Sequence, residues 1–226
     1  MAEPAPFRSE LGIMPLVRDT LQERIYTQIR DMILDGDIAP GQLITIQSLA
    51  DAFGVSAMPV REALKRLTAA NALNVVSGRS VGIPKLNVER LVDLRNVRRE
   101  LEGTAAGWAA DHATSTDLER LETQLARMDR AVAAGDAKEF LRGNHAFHFT
   151  VYRAAGSPTL LGMVESLWLQ ISPYFNLLHA SGNYRSSNIR HRQLFAALGR
   201  KDYEGARQAV RDDIEDACAI LLVELA

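Results

Sequence analysis

Residues 21–67 read LQERIYTQIRDMILDGDIAPGQLITIQSLADAFGVSAMPVREALKRL, and this stretch decides the fold of the N-terminal part. Its opening residues place apolar side chains three and four positions apart, which predicts an amphipathic helix. Those side chains are Leu21, Ile25, Ile29, Met32 and Ile33. The segment 37–41 contains Pro40-Gly41, a strong turn signal, so we expect the helix to end before it. A short second helix is predicted over 47–53, because Gly54 follows it.

The third predicted helix begins at Ser56, a residue type that commonly caps helix N-termini. Pro59 falls in the first turn, where backbone N–H groups lack partners within the helix, so it does not break this helix. Segments 73–76 and 80–83 then flank the turn Ser77-Gly78-Arg79, which predicts a two-stranded wing. Three helices and a wing together predict a winged helix-turn-helix domain.

From residue 87 onward the pattern is helical almost to the end of the chain. Strands and helices do not alternate in this half, so an antiparallel helical bundle is expected. Its six predicted helices lie near 87–112, 116–134, 136–155, 158–180, 186–200 and 202–224. The predicted fold class is mainly α, a winged helix-turn-helix followed by an antiparallel six-helix bundle. We expect a flexible arm at 1–17, the winged domain at 18–85 and the bundle at 86–226.

The charge balance limits where a nucleic acid could bind. The net charge of the 226 residues is −2 at pH 7, so DNA binding would have to rest on a local basic face. Residues 61–85 provide one, with five basic residues against one acidic residue.

The single cysteine, Cys218, excludes an internal disulfide framework and suits a reducing compartment. No apolar run approaches a membrane span and residues 1–12 lack a signal peptide, so a cytoplasmic protein is expected.

The helix that starts at Ser56 is the candidate recognition helix, because the first turns of such a helix meet base edges in the major groove. Arg61 can pair bidentately with guanine, whereas Lys65 and Arg66 suit phosphate contacts. Charge alone leaves an equally good alternative, in which these are ordinary solvated charges on a helix surface.

Several motifs in this part resemble the DNA-binding domain of the GntR family. They are ILDGDIAPG at 33–41, SLADAFGVS at 48–56, PVREALKRL at 59–67 and the wing NVVSGRSVGI at 74–83. The resemblance implies that Arg61 contacts operator DNA and that the wing tip enters the minor groove. The expected DNA-binding residues are Gln47, Ser56, Met58, Arg61, Lys65, Arg66, Gly78 and Arg79. Ala57 and Gln47 stand where relatives often carry basic residues, so we expect a different operator sequence or weaker base readout.

The second half resembles the FCD domain, the ligand-binding module of the FadR-type branch of this family, in its shorter six-helix version. The motifs are Arg98-x-x-Leu101-Glu102, Asn144-x-x-x-His148, His191 and Asp213. The resemblance implies a metal site whose ligands are Asn144, His148, His191 and Asp213. Relatives usually carry Asp, His, His and His at these places. Asparagine is a poorer ligand than a carboxylate, so the exchange at residue 144 is expected to weaken or remove metal binding.

The chemistry of this set can be argued from spacing. Asn144 and His148 are four residues apart and share one helix face, while His191 and Asp213 come from two further helices. Facing helices of a bundle often gather metal ligands in this way, and imidazole with carboxylate suits zinc, nickel or iron. Without the resemblance, the simpler interpretation is that both histidines are structural, buried and hydrogen-bonded to their neighbours.

Arg98 is the candidate for effector binding, because an arginine that projects into a bundle needs an anionic partner. The resemblance implies that the partner is the carboxylate of the effector, which a guanidinium can bind bidentately. The alternative is an internal ion pair with Glu102, its i+4 neighbour, or with Asp213. Tyr174 and Asn176 are further candidates for lining the effector pocket.

These predictions together describe a transcription regulator that is not an enzyme. We expect a homodimer on double-stranded, palindromic operator DNA, a repressor that a small carboxylate effector releases, with the segment 84–89 coupling the two domains. One alternative is a metal-dependent helical-bundle enzyme with an accessory DNA-binding head, although no acid–base pair or nucleophile stands beside the two histidines. Another is an architectural DNA-binding dimer without an effector.

Overall fold

The computed structural model describes residues 21–180 and 184–225, without the side chains of 179, 180 and 184–187. The expected N-terminal arm at 1–17 lies outside the described residues. The N-terminal part contains helices α1 (Leu21–Leu34), α2 (Ile46–Phe53) and α3 (Ala57–Ala69) and strands β1 (Leu43–Thr45), β2 (Asn74–Ser77) and β3 (Ser80–Gly82). The C-terminal part contains α4 (Val88–His112), α5 (Ser115–Ala134), α6 (Ala137–Ala154), α7 (Pro158–Ile171), a 3-10 turn (Ser172–Tyr174), α8 (Phe175–Ala180), α9 (Tyr184–Gly199) and α10 (Tyr203–Glu224).

The predicted helix-turn-helix is present, and local chemistry explains its boundaries. The Thr45 side chain caps α2 by accepting a hydrogen bond from Ser48 N at 3.0 Å, and Gly54 ends the helix in a left-handed conformation. Ser56 occupies the N-cap position of α3 with extended backbone, as predicted, but its side chain makes no capping hydrogen bond. The Ser56 hydroxyl is therefore left exposed at the start of α3.

The wing belongs to a three-stranded sheet in the described residues, with strand order β1-β3-β2. Both pairings are antiparallel, and β1 was not predicted because it is only three residues long. The pairing of Leu43 with Gly82 fixes the base of the wing beside α2. The tip between β2 and β3 is exposed.

The C-terminal part is the predicted antiparallel helical bundle, with α4 packed along α10 and α5 packed against α6. The helix predicted over 158–180 is broken instead at Ser172–Tyr174. Pro173 explains the break, because it lacks the N–H that would continue the helix and its ring crowds the preceding turn. Ser172 ends α7 and donates its hydroxyl to the carbonyl of Trp168 at 2.7 Å. Among the described helices, none has the length and apolar character needed to cross a bilayer.

Gly36 sits where the two parts of the chain meet, with a positive φ of 72°. A Cβ at this position would lie 3.1 Å from Asn176 Nδ2 and 3.3 Å from Leu141 Cδ1, both in the bundle. We expect Gly36→Ala to lower the free energy of unfolding by about 1–2 kcal/mol, because non-glycine residues are strained in this region of φ. Urea denaturation of the purified variant measures the loss.

Gly162 provides the matched control, since it lies within α7 and a Cβ there would meet nothing within 4 Å. Gly162→Ala should raise the free energy of unfolding by about 0.5–1 kcal/mol, because alanine is the better helix former. Equal effects of the two substitutions would contradict the assignment of strain to Gly36.

Candidate functional site

The face of α3 and the wing tip form the candidate DNA-binding surface. The exposed residues there are Ser56, Met58, Arg61, Lys65, Gly78 and Arg79, and Met58 leaves 63% of its surface uncovered. Arg61 lines a groove between α3 and the wing, and its guanidinium has no ion-pair partner among residues 21–180 and 184–225. An arginine with free donors at this position is able to reach base edges.

Other residues expected on this surface are engaged within the domain. Arg66 turns away to α1, where Nη1 lies 2.7 Å from Glu23 Oε2 and the guanidinium stacks 3.8 Å from the centroid of the Tyr26 ring. The Arg66 guanidinium therefore already has an ionic partner within the domain, while 49% of its side chain stays exposed. Lys65 and Gln47 make only exposed contacts within their own helices, at 2.8 Å to Glu62 and at 2.7 Å to Asp51.

Inside the bundle, three of the expected metal ligands come together. His148 on α6 and His191 on α9 place their Nε2 atoms 3.1 Å apart. Asp213 on α10 lies 3.4 Å from His148 Nε2 and 3.7 Å from His191 Nε2. Both imidazoles are almost fully buried. One atom from each of these residues falls within a 4.8 Å group, a separation that a single cation could bridge.

The environment of His191 keeps its ring neutral. Burial lowers the pKa of His191 to about 4; the charge of Asp213 opposes this shift and His148 adds to it. A neutral imidazole retains a lone pair for a cation, so the donor set of two imidazoles and one carboxylate fits a divalent transition metal.

Asn144 lies one helical turn before His148 on α6 and is buried, with 8% of its surface exposed. Its amide forms no hydrogen bond within the described part of the chain. The Asn144 amide is therefore free to contact a ligand that enters beside the histidines.

Arg98 is already paired inside the bundle, as in the alternative interpretation of the sequence. Its Nε lies 2.6 Å from Glu102 Oε1 and its Nη2 lies 3.3 Å from Glu102 Oε2. The Glu102 carboxylate is fully buried and raises the pKa of Arg98, although burial alone would lower that pKa. The guanidinium also lies 5.6 Å from the Trp168 ring and 5.7 Å from the Phe175 ring. Arg98 thus keeps only Nη1 for an external carboxylate.

Tyr174 and Asn176 do not line this site but reach the N-terminal part. The Tyr174 hydroxyl donates to the carbonyl of Pro84. Asn176 Nδ2 donates to the carbonyl of Gly36 at 2.9 Å. The break at Pro173 explains the difference from the sequence-based expectation, because it changes the direction of the chain just before both residues.

Helix α6 also contacts the turn after α1, and these contacts are called here the α6 latch, formed by Lys138, Arg142, His145, Asp35 and Asp37. Asp37 lies 3.0 Å from Lys138 Nζ and 3.3 Å from Arg142 Nη2. His145 Nδ1 lies 2.8 Å from Asp35 Oδ1. Burial alone would raise the pKa of Asp37, but the hydrogen bonds from Lys138 and Arg142 hold this pKa below its ordinary value. The same helix therefore carries His148 and the contacts to the N-terminal part.

Sequence reasoning missed three polar residues around the histidines. Tyr152 bridges Glu102 and His148, Trp168 donates to Glu102, and Asn188 contacts His191. Tyr152 lies four residues after His148 and Asn188 three before His191, so helical spacing alone could have indicated both. Trp168 offered no such indication, because its contact joins separate helices.

Comparisons with known proteins agree with this architecture. The family model described as bacterial regulatory proteins, gntR family, matches residues 21–83, and the FCD domain model matches residues 93–216. The HTH-type transcriptional regulator McbR of Escherichia coli (strain K12) is 31% identical over 213 residues, 93% of this chain and 96% of McbR. A solved structure of E. coli McbR/YncC covers 92% of this chain and is itself fully covered, with TM-score 0.85 and 28% identity.

A further relative carries a more specific description. The "Probable D-xylose utilization operon transcriptional repressor" of Paenarthrobacter nicotinovorans is 27% identical, over 82% of this chain and 84% of the relative. These relatives are described as transcription regulators, not as enzymes.

Proposed function

The chain belongs to the GntR family of bacterial transcription regulators and carries an FCD domain, and from this premise we propose that it is a ligand-responsive repressor. Two observations together carry the proposal: an exposed α3 face, on which Arg61 has no ion-pair partner in the described part of the chain, and a buried polar cluster in the helical bundle. The exposed α3 face is suited to binding DNA, and the buried polar cluster is suited to binding a small ligand.

DNA binding is assigned to the start of α3 and the wing tip. In the proposed complex, two subunits of a cytoplasmic homodimer place their α3 helices in successive major grooves of a palindromic operator. Arg61 reads a base, Ser56, Met58 and Lys65 contact the groove or the phosphates, and Gly78 with Arg79 enters the minor groove. Arg66 and Gln47 are further phosphate contacts, and these two residues, like Lys65, would exchange a carboxylate partner of their own domain for DNA.

The buried cluster is assigned to a divalent metal and a small carboxylate effector. His148, His191 and Asp213 would hold the metal, with Asn144 as a weaker fourth ligand or an effector contact. The bound cation would supply positive charge that favours a carboxylate. Arg98 Nη1 is the nitrogen available to the same carboxylate, since Nε and Nη2 bind Glu102.

Release of DNA requires that the effector prefer one arrangement of the two domains. The contacts between the two parts that could carry this coupling include the α6 latch and the hydrogen bond from Tyr174 to Pro84. Pro84 lies in the expected coupling segment 84–89. The test is a selection of DNA sites with the purified full chain, followed by a screen of small carboxylates, with and without Zn²⁺ or Ni²⁺, for loss of binding. Recovered sites without two-fold symmetry would contradict the dimer on a palindrome.

Arg61→Ala is expected to weaken binding to the selected operator by about 1–3 kcal/mol and to relax specificity at one base position. The reason is that an arginine paired bidentately with guanine provides discrimination that alanine cannot replace. Fluorescence anisotropy with labelled operator, at fixed salt concentration, measures the change.

Arg120→Ala provides the control for loss of one positive charge, because Arg120 is exposed on α5 in the bundle. Its operator affinity should match that of the unchanged protein. If Arg61→Ala retained both affinity and sequence preference, the assignment of base readout to Arg61 would be wrong.

A further inference from the structure

We infer that Tyr152, held by Glu102, fixes the tautomer of His148 so that its Nε2 lone pair is directed into the His148–His191–Asp213 cluster. Tyr152 is thus a positioning residue for a cation bound there. The inference rests on the proposed metal site, but it concerns the protein's own hydrogen bonds and can be tested without metal.

The Glu102 carboxylate can only accept hydrogen bonds when it is ionised. It accepts from Arg98 Nε at 2.6 Å and from Trp168 Nε1 at 2.9 Å. The Tyr152 hydroxyl lies 2.5 Å from Glu102 Oε2. Because Glu102 has no proton to offer beside a buried guanidinium, the Tyr152 hydroxyl is the donor of this hydrogen bond.

The Tyr152 oxygen has a second contact and lies 3.1 Å from His148 Nδ1. A hydroxyl has one proton, and Tyr152 gives it to Glu102. The Tyr152 oxygen must therefore accept from His148, which places a proton on Nδ1 and leaves a lone pair on Nε2. This series of hydrogen bonds, from the Glu102 carboxylate through the Tyr152 phenol to the His148 imidazole, resembles those that orient metal-bound histidines in general.

Asn188 constrains the tautomer of His191 in a similar way. Asn188 Nδ2 donates to Asp129 Oδ1 at 2.7 Å, so the amide oxygen faces His191 Nδ1, at 3.3 Å. His191 then carries its proton on Nδ1 as well. The two Nε2 lone pairs then face each other at 3.1 Å, so in the metal-free protein the hydrogen bonds at Nδ1 must outweigh the repulsion between them, which a bound cation would remove. The outer hydrogen bonds therefore prepare both rings for a cation.

The experiment compares the full chain with Tyr152→Phe, which removes the acceptor of the His148 proton while keeping the ring. Long-range ¹H–¹⁵N spectra of the metal-free protein report the tautomer of each histidine, and His148→Gln identifies the His148 resonances. We expect the Nδ1–H tautomer in the unchanged protein and a shift of His148 toward Nε2–H in Tyr152→Phe. Tyr203→Phe is the control, because the Tyr203 hydroxyl forms no hydrogen bond in the described part of the chain.

Zn²⁺ affinity, measured by competition with a chromophoric chelator, provides the second readout. Tyr152→Phe should bind Zn²⁺ about 10–100-fold more weakly than the unchanged protein and Tyr203→Phe, in line with other outer-sphere substitutions.

The outcomes separate the two proposals. An Nε2–H tautomer of His148 in the unchanged protein, or an unaltered tautomer in Tyr152→Phe, would overturn the inference whatever the metal affinity. Absence of Zn²⁺ binding by the unchanged protein, with the expected tautomers, would overturn the proposed metal site and leave the inference about Tyr152 and His148 supported.

Discussion

Glu102→Gln is expected to lower the free energy of unfolding by about 3–5 kcal/mol, since it leaves a buried cation without its counter-charge. Arg98 has 6% of its surface exposed and its Nε and Nη2 both donate to Glu102. The glutamine amide would also present N–H groups to donors that now bind a carboxylate, including the Trp168 indole. Urea denaturation at fixed protein concentration, followed by circular dichroism, measures the loss.

Glu100→Gln is the matched control on the same helix. The Glu100 side chain is 63% exposed and pairs with Arg207 and Arg211 at the surface. Such pairs contribute about 0–1 kcal/mol, because water screens the charges and solvates them when the pair is broken. Similar losses for Glu100→Gln and Glu102→Gln would show that the buried Arg98–Glu102 pair contributes no more to the free energy of unfolding than an exposed pair.

The second large effect is expected from the double variant His148→Ala with His191→Ala, which should abolish metal binding. The two imidazoles provide two of the three converging donors, and the Asp213 carboxylate alone is a weak ligand. Saturating Zn²⁺ or Ni²⁺ should stabilise the unchanged protein, by about 2.7 kcal/mol when the free metal is 100 times Kd. The double variant should show no metal-dependent rise in melting temperature.

His112→Ala controls for histidines that bind metal at the surface, because His112 lies exposed at the end of α4. It should keep the metal content of the unchanged protein, measured by plasma mass spectrometry after dialysis. Full metal retention in the double variant would refute the assignment of His148 and His191 as ligands.

Much of the fold follows from local patterns that the sequence makes visible. The apolar spacing in α1, the turn before Gly41 and the wing flanking Gly78 each depend on nearby residues, so they could be predicted. Strand β1 could not, because three residues give too little alternation and its pairing with β3 is set by tertiary contacts. The break could in principle have been predicted from Pro173, because proline interrupts helices, but the apolar pattern on both sides favoured one continuous helix.

The candidate site was predictable only to the level of which helices approach it. Helical spacing and family resemblance indicated His148, His191 and Asp213, which the structure brings together. The direction of each remaining side chain depends on packing between distant helices. Trp168 thus donates to Glu102 from a separate helix, and Asn176 reaches Gly36 across 140 residues of sequence.

The two functions of α6 have a thermodynamic consequence. His145 and His148 are three residues apart on one helix, so a shift of that helix on ligand binding would act on the contact between His145 and Asp35 as well. Coupling of this kind is reciprocal: whatever factor the ligand applies to operator affinity, the operator must apply to ligand affinity. Two isothermal titrations of the same ligand, one with the operator duplex present and one without, would therefore yield the strength of the coupling without any measurement of transcription.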